Sequence, residues 1–284
     1  MANIRKLVPF NTKPVGRSFV PLIRDRLFPD IMCCPMIEGN GFIKNYAVKY
    51  PWLKGTLSNN ALWVSARSGP RARSVDALGN DLMAFGDSSL FLPTAAVTFI
   101  IGYRKTDTTN RVVSAFGVLN GPAQDPTGAQ RCGCHLPFSD GTVYWDFGSA
   151  SSPGRISIGG LTFGDDVWGF SSGAAGMTIH QNGILRQTGS AVTRTATSTG
   201  WGIFQGNGGS IATSDLAECN FCYMYSWQLS QGDIREISLN PWKIFAHLSG
   251  NSKFKDTVAG GLRRNSNLDG LSVSGKFFAD PVAN

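Results

Sequence analysis

From residue 61 to 229 the apolar residues come in short runs separated by Gly, Asn, Asp, Ser and Pro. "ALWVSA", "AAVTFIIGYRK", "RVVSAFGVLN", "GTVYWDFG", "GRISIGG", "DVWGFSS", "GMTIHQ" and "AECNFCYMYSW" are among them. Runs of that length bounded by turn residues read as β-strands, and no strand–helix alternation connects them. Strands without crossover helices pair antiparallel, so the pattern predicts an all-β chain folded as an antiparallel sandwich. The 34 glycines follow no G-x-y period and fit many tight turns. Asn182-Gly183, between "GMTIHQ" and "ILRQTG", is a two-residue hairpin signal.

Within "TVYWDF" the strand period of two sorts the side chains. Val143, Trp145 and Phe147 share one face, which is wholly apolar and belongs between the sheets. Thr142, Tyr144 and Asp146 share the other, so Tyr144 and Asp146 are the members of the Tyr-Trp-Asp trio open to a ligand. His180, just before the hairpin turn, shares a face with Leu185 in a two-residue hairpin and joins them as a candidate. One helix is predicted, in "LSQGDIREISLNPWKIF". Ser230 is its N-cap and Asp233 its N3 residue, Ile234 and Ile237 form its apolar face, and Pro241 stops it near Asn240.

The ends differ from this middle. Prolines 9, 14, 21, 29 and 35 rule out a long helix or central strand, while interspersed apolar residues suit an extended arm lying on its own domain or on a neighbouring subunit. After residue 250 the chain is rich in Gly, Asn and Ser and reads as a second arm. The expected division is an N-terminal arm and lead-in over 1–60, a sandwich over 61–249 and a C-terminal arm over 250–284.

No apolar stretch reaches membrane-spanning length; "AAVTFII" (95–101) is strand-sized. The basic start lacks an apolar h-region, so synthesis in a cytosol is expected. The net charge of +7 raises nucleic-acid binding, but many basic residues lie toward the termini and no basic helix or zinc-finger spacing accompanies them. The six cysteines form close pairs: Cys33-Cys34, Cys132-x-Cys134 and Cys219-x-x-Cys222. The last two resemble half a zinc site by spacing. On a regular strand, however, 219 and 222 point to opposite faces, and reduced buried thiols are the expectation.

"DGTVYWDFG", "GRISIGGL", "MTIHQNGILRQ" and "LSQGDIREISLNPWKIF", in that order, resemble phage-encoded laminin G-like domains of the concanavalin A-like lectin/glucanase superfamily. The resemblance covers roughly 61–245. It implies a jelly-roll of two curved antiparallel sheets, and a place on a virion as tail appendage, fibre or capsid decoration. Neighbouring capsid or tail proteins and other copies of the chain, in a trimer for example, would be the partners. The alternative is a carbohydrate-binding module for a host-surface glycan, held by Tyr144, Asp146 and His180. Calcium enters only through the resemblance, with Asp140, Asp165 and Asp166 as candidates beside the plainer reading of surface turns.

The superfamily's retaining glycosidases need two carboxylates about 5 Å apart. Glu38, Glu218 and Glu236 form no E-x-D-x-x-E strand pattern, and no G-x-S-x-G, H-E-x-x-H or P-loop is present. A non-enzymatic virion protein without a cofactor is therefore expected.

Overall fold

The computed structural model describes residues 19–21, 26–30, 32–35, 42–47, 49–58, 61–66, 69–75, 81–119, 128–205 and 215–247. Two antiparallel sheets face each other. The first has the order Arg155–Ile158, Val143–Phe147, Cys132–His135, Phe116–Val118, Gly200–Ile203, Leu82–Asp87, Lys54–Ser58, Phe42–Lys44. The second runs Ile184–Gly189, Met177–Gln181, Asp166–Ser172, Val97–Lys105, Ala217–Tyr225, Gly69–Arg73, Leu62–Ala66, and Met32–Pro35 pairs with its long strand Ala217–Tyr225. The all-β antiparallel sandwich expected from the run lengths is the observed architecture. Lys54–Ser58 is an inner strand and Leu53 a core residue, so the sandwich begins before residue 61, where the sequence placed its start. Residues 1–18 of the expected N-terminal arm and lead-in over 1–60, and the whole expected arm over 250–284, lie outside the described residues.

Alternation fixes what fills the space between the sheets. Val143, Trp145 and Phe147 are fully buried there with Phe99, Phe116, Phe170 and Trp201. The Phe99 and Trp201 rings stack at 5.3 Å, and the Trp145 indole N–H donates to the Ser171 carbonyl at 3.1 Å, so the large apolar side chain keeps its polar atom satisfied.

A second apolar layer lies outside the second sheet. Helix α1 (Gln231–Leu239) lays Ile234 and Ile237 on it, together with Leu27 and Phe28 from the N-terminal region and Ile100, Val167, Phe221, Tyr223 and Tyr225 from the strands. Covered on both faces, Ala217–Tyr225 is buried at every position. The helix starts as predicted: the Ser230 hydroxyl accepts from the Asp233 N–H at 3.1 Å, and Asn240 closes the C-terminal end. It approaches the sheet closely at Gly169, where a Cβ would stand 2.7 Å from Ile234 Cγ2.

One expectation about the strands is corrected. A register shift between Cys219 and Phe221 interrupts Ala217–Tyr225, so Cys219 and Cys222 both face the core instead of opposite ways. Cys132, Cys134, Cys219 and Cys222 are buried reduced thiols. Burial pushes the Cys132 thiol up to about 12 and raises Cys134 and Cys219 as well, keeping the metal-binding thiolate form away.

Candidate functional site

At one end of the sandwich the segment 159–165 links the edge strand Arg155–Ile158 of the first sheet to Asp166–Ser172 of the second. It is tied to the neighbouring hairpin through Asp166, whose carboxylate accepts from the Gly164 N–H at 2.8 Å, Asn182 Nδ2 at 2.7 Å and Gln181 Nε2 at 3.2 Å. Gln181 Nε2 also donates to the Thr162 carbonyl at 2.7 Å, and Asn182 Oδ1 accepts from the Val167 N–H at 2.9 Å. The turn itself needs positive φ at both central residues, 53° at Asn182 and 77° at Gly183, which that residue pair supplies. Phe163 is half-buried and stacks on Trp168 at 5.8 Å. The result is a cleft of about 460 Å³ lined by Leu161, Phe163, Asp166, Gln181, Asn182 and Arg186, with glycines completing its wall. An aromatic ring beside amides, a carboxylate and a guanidinium provides both a stacking face and directional hydrogen-bonding groups.

The candidates read from the sequence do not converge. Tyr144 and Asp146 do point outward from the first sheet, but Asp146 is fully buried. Arg155, directly opposite on the next strand, donates from Nη2 to Asp146 Oδ2 at 2.6 Å, and Arg131 lies 3.5 Å from the same oxygen. Two cations therefore occupy the carboxylate that was expected to meet a ligand. Tyr144 is half-buried: its hydroxyl donates to Asp140 Oδ2 at 2.7 Å, and the Arg155 guanidinium sits 4.7 Å above its ring. That hydroxyl is the main cause holding the Asp140 carboxyl below its ordinary value.

His180 is corrected outright. It lies on the second sheet, 1% exposed, with Nδ1 3.3 Å from Thr178 Oγ1 and its Cβ 3.4 Å from where one on Gly169 would be, beneath the helix. Burial lowers its pKa to about 4, against a backbone interaction at Gly169 that raises it. A neutral buried imidazole cannot form one surface with Tyr144.

The calcium candidates separate as well. Asp165 faces Arg71 at 2.8 Å and Arg104 at 3.5 Å, which stand where a cation would. Asp166 next to it turns into the cleft, and Asp140 belongs to the turn beside Tyr144. No three acidic, His or Cys side chains are grouped to hold a metal among the described residues.

Sequence reasoning missed Phe163, Gln181, Asn182 and Arg186 as a group. The Asn182-Gly183 turn was legible, but nothing in the spacing shows that segment 159–165 folds against it. It also missed an ionic cluster on the outside of the second sheet. Glu218 stands opposite both Arg73 and Arg104 in register, and Arg71 Nη1 lies 3.0 Å from its carboxylate.

No protein-family model matches the chain, and no curated protein matches it. Solved structures do. Trypanosoma rangeli sialidase in complex with sialic acid has a TM-score of 0.55 at 12% identity, over 75% of this chain and 33% of that chain. The same sialidase with a 2,3-difluoro-KDN ligand gives 0.54 at 11%, over 76% and 33%. Domain 4 of AbnA, a GH43 extracellular arabinanase from Geobacillus stearothermophilus in complex with arabinotriose, gives 0.47 at 13%, over 65% and 87%, too distant to carry an argument. The shared property is the fold. It is a β-sandwich, and this chain spans about a third of the length of the sialidases it matches.

These neighbours overturn the expectation of a non-enzymatic virion structural protein. The two that carry weight are structures of a sialidase. The exclusion of enzymes made from missing motifs is withdrawn with it, because a sialidase shares the fold at only 11–12% identity.

Proposed function

We propose that this chain is a glycan-recognising β-sandwich domain of the laminin G-like kind, taking saccharide into the cleft between segment 159–165 and the Asn182-Gly183 hairpin. The observation that carries the reading is the cleft's composition: the Phe163 ring and Leu161 offer apolar surface, and Asp166, Gln181 and Asn182 stand beside them in one hydrogen-bonded set. Sugars present an apolar CH face and a rim of hydroxyls, so a ring next to pre-oriented polar groups matches both. Fixing those groups in the free protein reduces the ordering cost of binding. The glycan-related names of the structural neighbours support the same class of ligand.

Oligosaccharide titration followed by NMR tests this. Binding should shift the side-chain amide signals of Gln181 and Asn182, and Phe163→Ala should weaken affinity about tenfold while the hairpin remains folded. The same samples report any glycoside cleavage directly. Silence across a broad glycan panel, or shifts confined to residues away from the cleft, sinks the reading.

A further inference from the structure

We propose that Asn182-Gly183 is a modification site, at which deamidation of Asn182 dismantles the cleft and the cleft's own hydrogen bonds set the rate. The site goes beyond the glycan reading and keeps its chemistry whatever occupies the cleft. Only the two residues and water are needed. Glycine has no side chain to shield its amide nitrogen, so in an Asn-Gly pair that nitrogen, once hydroxide has taken its proton, can attack the preceding carboxamide carbon. Here the Gly183 nitrogen bonds to Asn182 Cγ, the Cγ–Nδ2 bond breaks, and Nδ2 leaves as ammonia. Water then reopens the cyclic imide at one carbonyl or the other, giving aspartate or isoaspartate with no change of oxidation state.

The folded turn keeps the reacting groups apart. Asn182 Oδ1 accepts from the Val167 N–H at 2.9 Å and Nδ2 donates to Asp166 Oδ1 at 2.7 Å, so the carboxamide is held at both ends on the neighbouring strand. The Asn182 N–H donates to the Val167 carbonyl at 2.7 Å and pins the main chain as well. Behind the turn, helix α1 leaves no slack: a Cβ on Gly183 would stand 2.9 Å from the Arg235 Cα and 3.3 Å from its carbonyl oxygen. Bringing Asn182 Cγ onto the Gly183 nitrogen therefore requires a local opening that breaks both side-chain bonds.

The products cannot rebuild what is lost. Asp166 is buried and depends on the Gly164, Gln181 and Asn182 donors, and both products remove the last of these. Aspartate at 182 sets a second carboxylate against the first, and two such groups cannot both stay ionised in one buried site. In isoaspartate the side-chain methylene enters the main chain and lengthens a two-residue turn, whose length fixes the pairing of Met177–Gln181 with Ile184–Gly189. Because Asp166 also holds Gly164 and Gln181, either change loosens segment 159–165 and with it the cleft.

Peptide mapping of the full chain, aged at mildly alkaline pH with and without urea, tests this. Three further Asn-Gly pairs, Asn40-Gly41, Asn120-Gly121 and Asn207-Gly208, should convert in urea at a rate like that of Asn182 and so supply an internal reference. Without urea, Asn182 should convert at least about tenfold more slowly than in urea, since two hydrogen bonds must open before the ring closes. Asp166→Ala, shown to be folded by its melting curve, should recover much of that rate. Aged wild-type protein, separated from the unmodified form by its added negative charge, gives a readout without any substitution. Its Gln181 side-chain amide signal in NMR should move and its melting temperature should fall. Equal Asn182 rates in the folded and unfolded chains overturn the proposal. So does a folded Asp166→Ala protein that ages like the wild type, or a protein deamidated at Asn182 whose Gln181 signal is unchanged.

Discussion

Asp146 and His180 show how far a single residue's role departs from its place in a pattern. Alternation puts Asp146 on the outer face, and it is there, but Arg155 across the strand closes over it. His180 reads as a hairpin residue near the surface, and helix α1, more than 50 positions along the chain, buries it. The buried imidazole has a measurable consequence. Its folded pKa of about 4 lies below the ordinary histidine value, so between those limits the unfolded chain binds a proton that the folded protein refuses. Stability must therefore fall as pH drops from about 6.5 toward 4, by roughly 3 kcal/mol at most from this residue. His135, also lowered chiefly by burial, adds to the same slope. Urea unfolding at several pH values should show the decline, and His180→Asn should flatten it in part. An identical slope in that variant would place the titration elsewhere.

Elements were legible where local chemistry alone determines them. The α1 boundaries follow from Ser230, Asp233 and Pro241, because capping and proline geometry act within a single turn. Ser230→Ala should cost about 1 kcal/mol, read by chemical denaturation, since the Asp233 N–H loses its acceptor. The Asn182-Gly183 hairpin was readable for the same reason: its φ values are a property of two residues. The strand Ala217–Tyr225 was found, but its bulge was not. A bulge is a relation between strands, here to Val97–Lys105, and a regular alternation over residues 217–225 wrongly separates Cys219 from Cys222.

For the whole molecule, the sandwich is held between its sheets by aromatic packing and on its outer side by charge pairing across three strands. Glu218 is buried beneath Arg71, Arg73 and Arg104. Burial alone would raise its pKa, and the three arginines outweigh that and lower it. Its contribution is complete above the ordinary glutamate range and is lost as pH falls through the lowered value. Glu218→Gln leaves three guanidiniums facing a neutral amide and should cost about 3 kcal/mol, measured by urea unfolding near neutral pH. A loss no larger than for an exposed acid would show that water already screens the cluster. The sequence by itself determined the all-β class, the inward face of Val143–Phe147, the helix and the hairpin, because strand period, capping and turn geometry operate over a few residues. The tertiary structure alone decided which polar residues are available. Asp146, Asp165 and Glu218 meet their arginines through strand pairing and sheet packing, and Phe163, Gln181 and Arg186 share a cleft because segment 159–165 is pulled onto a turn by Asp166. Contacts between distant parts of a chain depend on strand order and register, and no local pattern in the sequence encodes either.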